Sequence, residues 1–436
     1  MSFFLNGTKV PHRKNTADKP AAVLPTPKTV TIPMSMHIGA PATPTVKVTS
    51  LVKVGTKIGE ANGAVSAPVY ASVSGKVVKL TELLQSNGKT VAAVVIESDG
   101  EMAIDEAVTP PTVNSRETLI DAIRESGVVG LGGAGFPTHV KFNVEPERIE
   151  ELIINGSECE PYITSDSVTM IERADDMERA INAFKKYIGI KKIVIGIEEN
   201  KKKAIASMKA LAEKIEGVEV KVLPSVYPQG GEKVLIYHTT KKVVPTGKLP
   251  IDVGCIVVNC TTVAAIGCYL STGMPLVNKC VTVDGGAVKE PKNVIAPIGT
   301  PISDLFDFCG GLTCQPNKVL YGGPMMGVTI PNTTYPVIKN TNAILALTEK
   351  ETKHPKETAC IRCGSCVNTC PFGLSSTDIF AAYAKKDAAR LESLSVNTCM
   401  ECGCCSFVCP AKRPLVQTNK LAKAFLRDEK AKEANK

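Results

Sequence analysis

The sequence predicts a multidomain protein built around an α/β centre. Three observations carry this. The first hundred residues are rich in valine, glycine and proline and read as short strands joined by turns. From residue 111 to about 275, helix-period and strand-like segments alternate, the pattern of an open, largely parallel sheet. Near the other end two cysteine runs stand in a stretch of lysines and small residues. A length of 436 residues suits about three domains or more. Boundaries are placed at 1–110, 111–278, 279–345 and 346–436.

In the first of these, residues 52–80 (VKVGTKIGEANGAVSAPVYASVSGKVVKL) resemble the lipoyl/biotinyl barrel-sandwich domain. The turn EANGAVSAP holds no lysine, so the expectation is a structural β-domain without a swinging arm. Next, RETLIDAIRESG (116–127) has helical spacing at Leu119, Ile120 and Ile123 and is stopped by Gly127. IEELIINGSECEP (149–161) reads as a strand entering an acidic loop. DDMERAINAFKKYIG (175–189) reads as a helix, KKIVIGIEEN (191–200) as a strand, KKKAIASMKALAEKI (201–215) as a helix and VEVKVLP (218–224) as a strand. Residues 280–330 predict a small α+β unit with one helix near Asp304 to Phe308. The last segment, NKLAKAFLRDEKAKEANK, predicts a basic helix.

Several function classes are set aside. Val253 to Asn278 carries no charge and is long enough to span a bilayer, but glycine, proline and five polar side chains interrupt it, so a buried strand–turn–helix is expected. MSFFLNGTKV has too short an apolar run for a signal peptide. The formal charge of +8 does not imply nucleic acid. Eight thiolates on two iron–sulfur clusters would lower it to about +4, and no aromatic residues interleave a basic groove. Sixteen cysteines in a chain expected in the cytoplasm point to metal ligation, since cytosolic thiols stay reduced.

The cysteine runs are CIRCGSCVNTCP (360–371) and CMECGCCSFVCP (399–410). Each is C-x2-C-x2-C-x3-C-P, the ligand run of bacterial two-cluster ferredoxins, in which the fourth cysteine crosses to the neighbouring cube. One [4Fe-4S] cluster is therefore assigned to Cys360, Cys363, Cys366 and Cys409, and the other to Cys399, Cys402, Cys405 and Cys370. Zinc sites do not need the trailing C-x3-C-P. Cys404 is out of phase with the spacing. Of the remaining cysteines, Cys159 stands out because it lies in the acidic loop.

GLGGAGFPTHVKF (130–142) satisfies the dinucleotide pattern G-x-G-x-x-G. Its surroundings do not: a helix precedes it, only Val128 and Val129 are available as a strand, and Phe136 and Pro137 interrupt the following helix start. The stretch resembles the glycine loop of the flavin- and NADH-binding subunit of respiratory complex I. NGSECEP (155–161), GGEKVL (230–235) and VVNCTTVAAI (257–266) resemble further segments of that family in order. The whole-chain order, barrel-sandwich, flavin domain, β-grasp unit of the soluble-ligand-binding (SLBB) type and double-cluster ferredoxin, resembles the C subunit of the Rnf ion-translocating ferredoxin:NAD+ oxidoreductases.

That resemblance implies a Rossmann-like FMN/NADH domain and cofactors FMN, NAD(H) and two [4Fe-4S] clusters. Gly130, Gly132, Gly133 and Gly135 would let backbone approach the FMN. Lys141 would meet its phosphate or ring, and Asn155 and Asn259 would hydrogen-bond the flavin. Phe136 would stack near the nicotinamide or adenine, Glu160 and Glu232 would contact NADH, and Glu158 belongs to the same cofactor-binding set. Ser157 and Gly231 depart from the complex I pattern, which has an aspartate and a glutamate there. The implied function is hydride exchange between NAD(H) and FMN with single electrons relayed through the clusters, coupled to Na+ or H+ translocation. The implied partners are an iron–sulfur subunit and integral membrane subunits, with ferredoxin acting indirectly and no nucleic acid. The expected location is peripheral, on the cytoplasmic face of the cell membrane. A flavin/iron–sulfur cobalamin reductase of a bacterial microcompartment and a flavin-free electron-transfer adaptor are the alternatives.

Overall fold

The computed structural model describes residues 5–85, 88–353 and 355–434. At its centre lies a four-stranded, wholly parallel sheet in the order Val218–Leu223, Lys192–Glu198, Glu151–Asn155, Cys255–Asn259. In chain order this is 3-2-1-4, the first four places of the doubly wound 3-2-1-4-5-6 nucleotide-binding order, including its reversal between strands 1 and 4. Helices cover both faces, so the strands are apolar on both sides: Leu152, Ile153, Ile154, Ile193, Val194 and Ile195 are all fully buried.

The uncharged stretch from residue 253 belongs here. Cys255–Asn259 is a strand and Cys260–Thr272 a helix that starts at once, with no intervening turn, because the Asn259 side chain caps it. Gly267 lets this helix close on helix Ala174–Ala183: a Cβ there would lie 1.8 Å from the Asp176 carbonyl oxygen. Among the described residues no helix is long and apolar enough to cross a membrane. Residues 175–189, expected as one helix, form an α-helix to Ala183 and then a wider π-turn over Phe184–Ile188, ended by Gly189 at φ +81°.

The N-terminal β-domain pairs a sheet of Thr29–Pro33, Thr90–Ser98, Gly75–Leu84 and Leu51–Val52 with a second of Thr43–Pro44, Lys57–Glu60 and Val69–Tyr70. Val30, Ile32, Ile58, Val69, Val77, Val94 and Ile96 fill the space between them. The turn that would bear a swinging lysine in a lipoyl domain is pinned instead. The Ala64 carbonyl meets His139 Nε2 at 3.2 Å, and the Ala67 N–H donates to His37 Nε2 at 3.2 Å.

The third unit is a mixed six-stranded sheet in the order Ala21–Val23, Lys292–Pro297, Asn278–Asp284, Ala343–Leu347, Lys318–Tyr321, Val328–Ile330, packed on helix Ile302–Phe308. Its outermost strand, 21–23, is parallel to 292–297 and comes from the chain segment ahead of the β-domain. A helical C-terminal unit (Ser365–Asn368, Ser376–Ala384, Ala388–Ser393, Cys404–Val408 and Leu415–Ala434) completes the fold.

The first three units meet at Lys339. Its side chain is buried and its ammonium donates to the Pro68 carbonyl (2.6 Å) in the β-domain and the Gly127 carbonyl (2.7 Å) beside the central sheet. Burial pulls its pKa down to about 7. The unfolded chain therefore holds this proton to higher pH than the folded one. The associated stability is fully present above the ordinary lysine range and is lost progressively as pH falls from there to about 7. Relative to Lys339→Met, the wild-type thermal midpoint should rise between about pH 7 and pH 10, measured by differential scanning calorimetry of both proteins.

Candidate functional site

In an open parallel sheet, ligands bind outside the carboxyl ends of the strands where the strand order reverses. Here that point lies between Glu151–Asn155 and Cys255–Asn259, whose last residues, Asn155 and Asn259, are direct register partners. Asn259 Oδ1 accepts the N–H groups of Thr261 (3.0 Å) and Thr262 (3.2 Å), and its Nδ2 donates to Asp166 Oδ2 (2.8 Å). Asn155 Nδ2 donates to the Gly230 carbonyl (2.9 Å), and its Oδ1 accepts the Ser157 N–H (3.1 Å).

The glycine loop lies over Asn259. It precedes the first strand of the sheet in the chain, and only a bridge between Val129 and Pro137 stands where a dinucleotide motif needs a strand. It is a flap over the reversal point. The Thr262 hydroxyl pins its base, accepting from the Leu131 N–H (3.0 Å) and donating to the Val129 carbonyl (3.2 Å). The Gly130 N–H closes the loop on the Phe136 carbonyl at 2.8 Å. A Cβ on Gly132 would fall 2.5 Å from Asn259 Nδ2, and Gly135 turns at φ +72° against the Met36 carbonyl. Gly132 and Gly133 are exposed and Phe136 half-buried. The loop thus presents bare backbone above a capped helix N-terminus, where the helix dipole favours an anion.

Lys141 and Glu232 flank this crevice. Lys141 Nζ donates to the Val257 carbonyl (2.7 Å) on the open edge of the sheet and pairs with Glu232 Oε1 at 3.3 Å. Glu232 starts the helix Glu232–Thr240. Both side chains are solvent-accessible, so the pair is weak and can open to a ligand.

Glu158 and Glu160 are placed differently. The Glu158 carboxylate accepts the Asp166 N–H (2.6 Å) and the Ser167 hydroxyl (2.7 Å), capping helix Ser165–Glu172. The Glu160 carboxylate accepts the N–H groups of Met325 (3.1 Å) and Met326 (2.8 Å) in the six-stranded unit. Burial raises the pKa of both. Between them Cys159 accepts the Gly230 N–H at 3.4 Å, and burial holds its thiol up at about 12. The acids of this loop therefore bind its own surroundings, leaving Asn155, Lys141 and Glu232 at the crevice.

The cysteines fall into two groups. Cys370, Cys399, Cys402, Cys404 and Cys405 line one small cavity with Pro371, Met400 and Asn419. Cys366 packs with Cys409, and Cys360 and Cys409 both act on its thiol electrostatically. Cys360 and Cys363 are exposed. Among the described residues no three ligating side chains converge tightly enough for a single metal ion. A cube, larger than one ion, needs four thiols around a cavity, and of the five cysteines here Cys404 is the one whose thiol donates elsewhere, to the Tyr227 carbonyl. Gly364 and Gly403, at φ +74° and +82°, make the tight turns inside the runs. The fourth cysteine of each run thus stands with the first three of the other or with part of them.

The first cavity abuts the crevice. A Cβ on Gly231 would lie 2.3 Å from Met400 Cε, the free end of that side chain, so a glutamate here, as in the complex I pattern, would have to push Met400 aside. The Tyr227 hydroxyl donates to the Cys402 carbonyl (2.8 Å), and the Cys404 thiol to the Tyr227 carbonyl (3.7 Å). Cys404 thus serves the seam between the units. Thr262 and Met400 lie inside segments singled out in the sequence but without a role of their own there, and Asp166 and Tyr227 lie outside them, because all four roles depend on contacts with distant segments. The Gly231 departure is their one visible trace.

Four family models match the chain in succession. Residues 123–267 match the Nuo51 FMN-binding domain, 2–101 the RnfC barrel sandwich hybrid domain, 280–329 the SLBB domain and 357–420 the 4Fe-4S dicluster domain. The C subunit of the Na+-translocating ferredoxin:NAD+ oxidoreductase complex of Acetobacterium woodii is 42% identical over 96% of this chain and 96% of its own. Its proton-translocating counterpart in Clostridium ljungdahlii is also 42% identical, over 86% of this chain and 82% of its own. The chain belongs to the family of Rnf C subunits. The corresponding protein of the ion-translocating oxidoreductase complex of Rhodobacter capsulatus is 37% identical over 99% of this chain and 85% of its own. The fold is shared with a chain of an NAD+-reducing [NiFe]-hydrogenase in the H2-reduced state, at TM-score 0.50 and 17% identity over 72% of this chain and 61% of the hydrogenase chain.

With Gly231 covered by Met400, the complex I residue can enter only by displacing that side chain. Gly231→Glu is expected to displace Met400 and loosen the seam, at a cost of about 1–3 kcal/mol for an overpacked contact. Limited proteolysis between the central and C-terminal units should speed up, while Lys233→Glu, on the same helix but with its side chain directed to the Pro245 carbonyl, leaves it unchanged.

Proposed function

We propose that this chain is the NAD(H)-reacting electron-transfer subunit of an ion-translocating ferredoxin:NAD+ oxidoreductase complex. One observation carries the reading: the Cys399–Cys405 loop packs, through Met400, against the Gly230–Gly231 edge of the crevice under the glycine flap. A nucleotide-type crevice and a cysteine-lined cavity thereby share the Met400 side chain. The residues present fit the family's cofactors. Gly132 and Gly133 offer open backbone, Lys141 offers a cation, Asn155 offers an amide at the sheet end, and eight cysteines form two sets.

In this assignment Gly130, Gly132, Gly133 and Gly135 form the flap on the flavin, with Asn155 and Asn259 beneath it. Lys141 meets its phosphate or ring. Phe136 and Glu232 border the nicotinamide nucleotide, with Glu232 opening from Lys141 to accept a ribose hydroxyl. Glu158 and Glu160 act indirectly, by holding the loop that carries Asn155. Cys370, Cys399, Cys402 and Cys405 hold the cluster nearer the crevice, and Cys360, Cys363, Cys366 and Cys409 the outer one. FMN, when bound, supplies two-electron hydride chemistry on one side and one-electron chemistry towards the clusters on the other. The chain's own residues contribute position and charge, and no side chain is assigned as a general acid or base. Cys360 and Cys363, exposed at the surface, mark where an iron–sulfur subunit would exchange electrons. The chain would lie peripherally on the cytoplasmic face of the membrane, against integral membrane subunits.

Two measurements test this. Lys141→Ala and Glu232→Ala should each lower NADH:ferricyanide kcat/KM by about tenfold or more, the loss expected when a charge-assisted contact is removed. Full activity in both variants would remove them from the site. Cys363→Ala should change the low-temperature EPR spectrum of the dithionite-reduced protein, and an unchanged spectrum would refute its role as a ligand.

A further inference from the structure

The segment ahead of the first sheet strand runs along the seam between crevice and cysteine cavity. The Leu5 N–H donates to His238 Nε2 (3.0 Å) on the Glu232–Thr240 helix, and Thr369, next to Cys370, donates its hydroxyl to the Gly7 carbonyl (3.1 Å). Thr8 and Tyr227 exchange both backbone hydrogen bonds, at 2.8 and 2.9 Å, and the Tyr162 N–H donates to the His12 carbonyl (2.9 Å).

Lys14 then enters the acidic loop. Its ammonium donates all three protons to main-chain carbonyls of that loop: Glu158 (2.9 Å), Glu160 (2.8 Å) and Ile163 (2.6 Å). Those carbonyls converge because Glu158 and Tyr162 adopt positive φ, +37° and +69°. Non-glycine residues hold that conformation at a cost and only where their surroundings impose it. Three carbonyl oxygens facing one another form a cation nest, and here the cation is covalently part of the chain. Burial keeps the ammonium near the edge of deprotonation, at about 8, while the carboxylates of Glu158 and Glu198 support its charge and Lys201 opposes it.

The loop so held is a link with two ends. At one end is Asn155, at the crevice. At the other, Glu160 binds the Met325 and Met326 N–H groups and lies 3.3 Å from the Tyr227 hydroxyl, which binds the Cys402 carbonyl. Met325 in turn abuts Gly403, where a Cβ would lie 3.0 Å from its carbonyl oxygen.

We propose that residues 5–16 form a tie, with Lys14 as its clasp, that positions the ligand loops of the nearer cluster against the flavin-side loop. Lys14 is a positioning residue in this role and touches neither cofactor. The tie reaches both chain segments that line the cavity, Cys370 through Thr369 and Cys402 through Tyr227. This rests on the proposed function for the identity of the groups on either side, but its geometric part does not.

The test uses the full chain, with iron and flavin loaded, as wild type, Lys14→Met and Thr8→Pro. Hydrogen exchange in Lys14→Met should accelerate about tenfold or more at residues 156–163 and 399–404, with strand Lys192–Glu198 unchanged. Thr8→Pro, which lacks the N–H given to Tyr227, should loosen 399–404 and leave 156–163 protected. Lys14→Met should also keep its iron content and dithionite-reduced EPR signal. Its NADH-driven flavin bleaching should stay within about twofold of wild type while its cluster reduction slows about tenfold. Unchanged exchange at both segments, or flavin and cluster reduction slowed in parallel, would overturn the tie. If NADH reduces neither group in the wild type, the proposed function fails, and the exchange result still decides the tie.

Discussion

Everything at the crevice depends on two parallel strands ending side by side. Because Glu151–Asn155 and Cys255–Asn259 run in register, two asparagines stand together at the carboxyl edge, each with its side chain already committed. Asn259 caps a helix and Asn155 ties down the Gly230 carbonyl. An amide with both ends engaged cannot rotate away, so the floor under the flap is set before any ligand arrives. The flap is in turn bolted to that floor by Thr262, within the helix that Asn259 caps.

The charges of the protein are placed on the same principle. Acidic residues that look available in the sequence are turned inwards, where Glu158 stabilises a helix start and Glu160 fastens the six-stranded unit. Lysines whose ammonium groups are enclosed do the corresponding work for carbonyl groups, Lys14, itself half-buried, within one loop and Lys339 across three units. A buried ammonium is costly to desolvate, and these two offset that cost only by donating to several carbonyls at once. The result is a multidomain chain in which the β-domain and the central unit share one apolar core, the six-stranded and C-terminal units keep cores of their own, and polar contacts at a few points fasten the seams.

Some of this is legible in the residues alone. The paired cysteine runs have a spacing that only a narrow chemistry uses, and the alternating apolar segments of the centre could hardly form anything but a covered parallel sheet. The glycine flap is partly legible: its pattern suggests a nucleotide, its setting argues against the ordinary dinucleotide loop, and the structure shows why both hold. The Val253–Asn278 stretch reads as buried and is largely so from Gly254 to Gly267, where Asn259, Thr261 and Thr262 have partners within the fold, while Ser271 and Thr272 at the helix end are exposed. Glu158 and Glu160 are legible as members of a motif but not in their orientation. That is decided by backbone donors more than a hundred residues away for Glu160 and by the positive φ of Glu158 itself.

What the sequence by itself determined, then, is the set of local chemistries: where thiols cluster, where backbone is bare, where strands and helices must alternate. Those follow from spacing along the chain, and short-range geometry suffices to express them. Only the tertiary structure decided which of these chemistries touch. That Met400 sits on Gly231, that Tyr227 grips Cys402, and that a lysine near the beginning of the chain fills a nest of carbonyls at residues 158–163 all require segments far apart in sequence to share a surface. Such contacts leave almost no periodic trace, because one missing side chain or one lysine among many is enough to make them.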